Sequence, residues 1–285
     1  MKLRGISLCW TIIFSLLMLG FPIPMILGMG KTESPYPQWN TGKPHEATNN
    51  THLWIVQHAI ELMQRNVGSP VEQSELDLLK KWQRDWEQGL YDADHKAKYN
   101  DHFTFASHFY DPDKGQTYIP DKEHAKDAGS KYFKQAGDSY QKGEYKQAFY
   151  LLGLSLHFFT DLTQPMHAAN FTNLDKPTSY HTLFEDYTES IQEDYTVKDK
   201  EAFWNWQSSK DPAIWLHAAA VQAKKDFPPI VTSEIKQWVE EGKKGQKDSE
   251  RKWKQAVKPV IGKRLDEAQR ITAGYIHLWF QLYIK

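Results

Sequence analysis

One cysteine, Cys9, is the only thiol in 285 residues, and it lies within an apolar N-terminal run. Its solitude excludes a disulfide scaffold and a structural zinc knot built from thiolates. Neither sign of charge is in excess: 35 Lys and Arg stand against 36 Asp and Glu, a formal charge of −1. A nucleic-acid binder driven by net charge is therefore not expected. Ser/Gly linkers and internal repeats are also missing, so nothing divides the chain beyond its N-terminal segment. Strand signals are weak throughout, and Pro229-Ile230-Val231-Thr232 is too short to matter.

What is present begins with a leader. Lys2 and Arg4 form a positive start, Ile6 to Leu19 is almost uninterruptedly apolar, Pro22 and Pro24 break the run, and Gly28-Met29-Gly30 offers small residues for cleavage. This pattern reads as a secretory signal peptide over residues 1–30. The alternative is an uncleaved membrane anchor, since about 20 apolar residues span a bilayer; the prolines, however, cut the run short. Residues 39–285 suit one sizeable domain. It holds 32 basic against 35 acidic residues, a formal charge of −3, and no cysteine, so its stability must come from core and metal.

Most of that domain reads as helix. Thr51 to Asn66 carries apolar residues at mixed three- and four-residue spacing. Pro70 is expected to open a second helix, with Leu76, Leu79, Trp82, Trp86 and Leu90 following at helical intervals and Gly89 weakening its end. Residues 95–120 contain Asp111-Pro112-Asp113-Lys114-Gly115, which is turn chemistry, and form an irregular excursion. Further helices are expected near 122–142, 144–163, 178–193, 211–225, 231–241 and 250–282. The helix from Glu144 to Thr163 has almost no polar face and should be central. The aromatic residues, including Trp54, Trp82, Trp86, Trp215 and Trp279, are mostly core.

His157 and Asp161 sit on that central helix, on one face at i and i+4. A buried carboxylate without a positive partner is costly, and a cation answers the need. His167 follows the helix-breaking Pro165; His181 and Glu185 repeat the i,i+4 spacing 14 residues later; Asp94 and His108 lie upstream. Any one such pair reads most simply as a solvated helix face. Together, this many nitrogen and oxygen donors without a thiol point to zinc chemistry. His45, His58, His102, His124, His217 and His277 have no matching partner and read as ordinary surface or core residues.

Several blocks then resemble the zinc-dependent phospholipase C family of Gram-positive bacteria. They are His52-Leu53-Trp54-Ile55-Val56, Tyr91-Asp92-Ala93-Asp94, Phe103 through Asp113, Leu154 through His157, Gln164 through Phe171, and Tyr180-His181 to Glu185. Gly262-Lys263-Arg264-Leu265 and Thr272-Ala273-Gly274-Tyr275 also fit, so the likeness spans residues 39–285. It implies an all-α, single compact domain with three zinc ions in one cleft. By position, Asp94, His108, His157 and Asp161 would hold one ion; His167, His181 and Glu185 a second; His52, the shared Asp161 and the main-chain amine and carbonyl of Trp39 a third. Trp39 can ligate through its amine only as the mature N-terminus, which implies a propeptide over residues 31–38 and a processing protease. Without the resemblance, Trp39 would read as an exposed tail aromatic.

The implied enzyme is a secreted, monomeric phosphodiesterase acting on phospholipid membranes or aggregates, with no nucleic-acid partner. Clustered zinc ions make water a nucleophile at neutral pH and offset charge on phosphoryl oxygens; Asp94 is the general base the family pattern nominates. A choline pocket needs an anion and aromatic faces. Phe105 fits that pattern, but Gly42 stands where the family has Glu, and His95 where it has Tyr, so a broader head-group preference is expected. A zinc-dependent single-strand nuclease of the fungal and plant type is the alternative enzyme; the Ser107 to Asp113 block and Glu185 argue for the phospholipase. A non-catalytic zinc protein is the alternative from another class, against which stands the full ligand set. The related clostridial toxins carry a C-terminal β-sandwich with no counterpart here, so weaker intrinsic membrane binding is expected.

Overall fold

The computed structural model describes residues 41–284. The expected signal peptide, the propeptide and Trp39 lie outside the described residues. A short antiparallel hairpin, β1 (Thr41–Lys43) and β2 (Glu46–Asn50), comes first. Everything else regular is helical: α1 (Thr51–Arg65), α2 (Gln73–Lys81), α3 (Gln83–His95), α4 (Ala125–Gln141), α5 (Tyr145–Asp161), the single turn α6 (Pro165–Ala168), α7 (Tyr180–Ile191), α8 (Pro212–Lys225), α9 (Ser233–Lys243) and α10 (Lys247–Tyr283). The expected all-α class holds.

α5 is the centre of the molecule. Every residue from Leu151 to Asp161 is buried, with α3 and α4 packed along it. Each fully buried Leu or Phe stabilises by roughly 1.5–3 kcal/mol, which is why a helix without a polar face settles here rather than at the surface. α1 and α9 pack on the long α10. No helix among the described residues is long and apolar enough to cross a membrane.

Two expectations about helix ends need correction. Pro70 does not open a helix; it follows a cis Ser69–Pro70 bond in a turn, and α2 starts at Gln73, where the Glu75 side chain accepts from the Glu72 N–H at 3.1 Å. Gly89 does not weaken a helix end either, because α3 runs through it to His95. A Cβ at Gly89 would lie 2.0 Å from the Tyr150 carbonyl oxygen, and one at Gly153 would lie 2.0 Å from that of Trp86. The two glycines let the backbones of α3 and α5 meet reciprocally, and this crossing sets the distance between the site residues each helix carries.

Candidate metal centre

Eight of the nine residues expected to ligate metal converge in the interior, each 3 % exposed or less. Asn50 begins the assembly: its Oδ1 accepts from Leu53 N–H at 2.9 Å and caps α1, placing His52 in the first turn. Asp94 comes from the last turn of α3, and Asn100 holds that turn by donating to the Asp94 carbonyl at 2.6 Å. His108 closes a 3-10 turn, Ala106–His108. His157 and Asp161 point from α5, His167 from α6, and His181 with Glu185 from α7.

Four donor atoms face one another across short gaps. His157 Nε2 is 3.3 Å from Asp94 Oδ1, 3.5 Å from Asp161 Oδ2 and 3.1 Å from His108 Nδ1. His108 Nδ1 is in turn 3.5 Å from Asp94 Oδ1 and 3.0 Å from Asp161 Oδ2. A tetrahedron with bonds of ~2.0–2.1 Å has edges of roughly 3.3 Å, and these five separations lie near that length, as donors around a zinc ion require. In a second cluster, Glu185 Oε1 lies 3.2 Å from His167 Nε2 and 2.9 Å from His181 Nε2. His52 stacks on His157 with ring centroids 4.0 Å apart, and its Nε2 is 3.5 Å from the other Asp161 oxygen, Oδ1. Asp161 thus turns one oxygen to each of two neighbouring groups. His52 also gathers with Asp94 and His157, so these groups interleave more closely than separate ligand sets would. Among the described residues, Glu185 Oε2 is buried with no hydrogen-bond partner, the state of an atom arranged for a cation.

The rings are fixed from behind. His157 Nδ1 donates to the Leu90 carbonyl at 2.9 Å, His167 Nδ1 to that of His108 at 2.8 Å, and His181 Nδ1 to that of Phe171 at 2.6 Å. A carbonyl only accepts, so Nδ1 carries the proton and Nε2 presents its lone pair to the cluster. His52 Nδ1 meets Thr160 Oγ1 at 2.6 Å; that hydroxyl spends its own proton on the Leu156 or His157 carbonyl, so it too accepts. Thr160 was not among the expected site residues. Nor was Gln164, whose Oε1 caps α6 by accepting from Met166 and His167 N–H while its Nε2 donates to Glu185 Oε1 at 3.2 Å. Its place just before Pro165 signals a cap, but nothing local shows that the amide's other end reaches the cluster.

A family model described as zinc-dependent phospholipase C matches residues 51–270. The chain belongs to that family. It is 48 % identical over 247 residues to a phospholipase C of Bacillus cereus, covering 87 % of this chain and 86 % of that protein. To a phospholipase C of Listeria monocytogenes it is 37 % identical over 241 residues, 85 % and 80 % of the two chains. The fold is that of the alpha toxin of Clostridium absonum, with a TM-score of 0.64 at 24 % identity; the likeness covers 83 % of this chain and spans 64 % of the toxin chain. The enzyme is a zinc-dependent phospholipase C, as the sequence blocks imply.

Burial and mutual charge divide the enzyme's buried groups. Burial raises Asp94, but His157, His108 and His52 outweigh it and hold the carboxyl well below the usual carboxylate range. Asp161 is likewise raised by burial and pulled down further by His157, His167 and His108, to about 2. Burial opposes the imidazolium of His157, yet Asp94 and Asp161 lift it to about 9. Burial alone dominates the other cluster: His181 falls to about 4 and Glu185 rises to about 8. His52 is driven well below its ordinary value by burial and then by His157. A carboxyl and imidazoles held neutral by burial are ready to take a dication in place of protons.

The two residues expected to contact a head group differ in setting. His95 is exposed, its ring stacked on Tyr91 with centroids 3.7 Å apart. Phe105 is buried, at φ +56°, with its ring centroid 5.4 Å from that of His108. The six remaining histidines stay outside the clusters; His277, for example, is buried with its Nδ1 2.9 Å from a Glu75 carboxylate oxygen, and His124 caps α4.

Proposed function

We propose that this phospholipase C is a secreted phosphodiesterase that cleaves glycerophospholipids, phosphatidylcholine among them, on the glycerol side of phosphate. Its products are then diacylglycerol and a phosphorylated head group. The observation that carries the reading is the convergence of Asp94, His108, His157 and Asp161, with five donor separations of 3.0–3.5 Å, beside the His167–His181–Glu185 cluster and His52.

In this reading three zinc ions are held, the third by His52, Asp161 and the main chain of Trp39 after the 1–30 leader and the 31–38 propeptide are removed. Zinc in such a site supplies positive charge to phosphoryl oxygens and lowers the pKa of water. The chain's own part is to exclude solvent, fix the donors and move a proton. Asp94 is the carboxylate that the family pattern nominates to accept it; it is ionised at neutral pH, and the imidazoles around it keep its basicity low until the site's charge is rearranged by bound metal. Asp161 and the imidazole Nδ1 tethers keep the other donors from rotating. His95, exposed and stacked on the half-buried Tyr91, is the ring offered to the head group from outside, while Phe105 lies buried beside His108; with Gly42 in place of an acid, selectivity for choline should be weak.

N-terminal sequencing of the active secreted protein should begin at Trp39. Metal analysis should return three zinc ions, and chelation should abolish hydrolysis of lecithin. Choline, ethanolamine and serine phospholipids should all be cleaved. Activity that survives with no bound transition metal would overturn the mechanism, and strong choline selectivity would overturn the head-group reading.

A further inference from the structure

Two large apolar side chains among the described residues stand out for their exposure: Phe103 at 54 % and Leu174 at 88 %. Each sits on a segment that carries site residues. Phe103 lies between Asp94 and His108, two positions before Phe105, whose ring faces that of His108. Leu174 lies between His167 and His181, next to Asn173, which accepts from Thr182 N–H at 3.1 Å in the first turn of α7. The chain just beyond His108 is tied to the second segment: Tyr110 N–H donates to the His167 carbonyl at 3.2 Å, and Asn170 donates to that of Gln116 at 3.1 Å.

Neither side chain is exposed because its loop is slack. Asp101, His102, Phe103 and Phe105 all have positive φ, 51°, 55°, 72° and 56°. Such backbone is costly for residues with a Cβ and persists only where the surroundings enforce it. Asn100 Oδ1 accepts from Phe103 N–H at 3.0 Å, and Asp101 accepts from Ser107 N–H at 2.7 Å. Around Leu174, Asp175 accepts from Thr172 N–H at 2.7 Å, and the Asn173 carbonyl accepts from Ser179 N–H at 2.9 Å. Structure is therefore spent on holding two oily side chains in water. Lys98 and Lys176, both exposed, flank them with positive charge.

We propose that Phe103 and Leu174 dock the enzyme onto the surface of a phospholipid aggregate, entering its apolar layer while Lys98 and Lys176 meet its phosphates. The inference rests on the proposed lipid substrate. With ligands buried to 3 % or less, a phosphodiester whose acyl chains remain in an aggregate is reached when the protein surface sits against that interface, whereas a monomeric lipid can enter without it.

The test uses the full processed, zinc-loaded chain with Phe103→Asn, Leu174→Asn and the double variant; Asn tolerates the left-handed backbone at 103. Three readings are taken: pelleting with phosphatidylcholine vesicles, hydrolysis of those vesicles, and hydrolysis of a short-chain lecithin kept below its micelle concentration. The double variant should lose about tenfold or more in vesicle binding and vesicle hydrolysis, while kcat/KM on the monomeric lipid and zinc content stay within twofold of wild type. Unchanged vesicle binding overturns the proposal. Equal losses on both substrates overturn it too, since the residues would then serve the site itself. A wild-type dimer in sedimentation that the variants dissociate assigns the patch to a second copy instead. If wild type cleaves neither form of lipid, the substrate reading falls and carries this inference with it; the other outcomes leave that reading standing.

Discussion

Replacing Gly153 by Ala tests whether the α3–α5 crossing sets the metal geometry. The added Cβ would stand 2.0 Å from the Trp86 carbonyl oxygen. An ordinary carbon–oxygen contact is about 3.3 Å, so the helices must part by roughly 1.3 Å. Both partners are main chain, and no rotamer change can absorb the clash. Asp94 rides on α3, while His157 and Asp161 ride on α5, with His157 Nε2 now 3.3 Å from Asp94 Oδ1. Zinc ligands tolerate displacements of about 0.2 Å, several times less than the required opening. Overpacking costs about 1–3 kcal/mol and the better helix propensity of Ala returns about 1 kcal/mol. The fold should therefore survive with a loss of up to about 2 kcal/mol, or a Tm lowered by roughly 4–8 °C. Zinc affinity should fall at least tenfold, read by titration against a chelator of known affinity. Gly89→Ala, which meets Tyr150 from the other side, should behave alike. Wild-type zinc affinity with an unchanged or higher Tm in either variant would refute the argument.

Gln164→Ala removes the α6 cap and the amide that holds Glu185, so it should cost about 1 kcal/mol of stability and roughly 10–100-fold in zinc affinity; calorimetry and zinc titration check both, and a stability loss with intact affinity would reduce Gln164 to a helix cap. The pH dependence of the chelated protein follows from two raised groups. Glu185 at about 8 and His157 at about 9 exceed their unfolded values of 4.5 and 6.5, so between pH 6.5 and 8 the folded chain binds more protons than the unfolded one. Folding stability then falls as pH rises through this window. The Tm of chelator-treated enzyme should drop from pH 6.5 to 9 and that of zinc-loaded enzyme should not; a flat chelated profile would contradict the burial of Glu185. Below pH 6.5 His181, lowered to about 4, acts in the opposite sense and flattens the curve.

The helical class was legible because α5 has no polar face, and a helix of that kind has one place to go. Four of the eight buried residues were legible as i,i+4 pairs of His and carboxylate, His157 with Asp161 and His181 with Glu185; Asp94, His108 and His167 joined them as nearby donors, and His52 came from the family resemblance alone. What stayed hidden depends on atoms brought together from afar. Gly89 looks like a helix breaker by local propensity, yet its meaning lies in the carbonyl of Tyr150, 61 positions away. Thr160 and Gln164 are unremarkable in sequence, since a hydroxyl that accepts from one particular imidazole is defined by the fold alone. The β1–β2 hairpin was missed because Thr41 to Asn50 offers polar residues with little alternation.

The tethers behind the rings also join the two candidate metal-binding clusters mechanically. The carbonyl that orients His167 belongs to His108, a member of the other cluster. The chain just beyond His108 closes the loop, because Tyr110 N–H donates to the carbonyl of His167. His108 and His167 sit on short turns rather than long helices, so each is placed largely by the other. Asp161 adds a second link, with Oδ2 at 3.0 Å from His108 Nδ1 and Oδ1 at 3.6 Å from His167 Nδ1. A cation that fixes His108 therefore removes freedom that His167 would otherwise lose on binding its own. Zinc should load cooperatively across the two clusters. His108→Ala should then weaken binding at His167–His181–Glu185, although none of those side chains is changed. A titration that resolves the sites and finds the second one unaffected would show that the shared carbonyl positions a ring without coupling the ions.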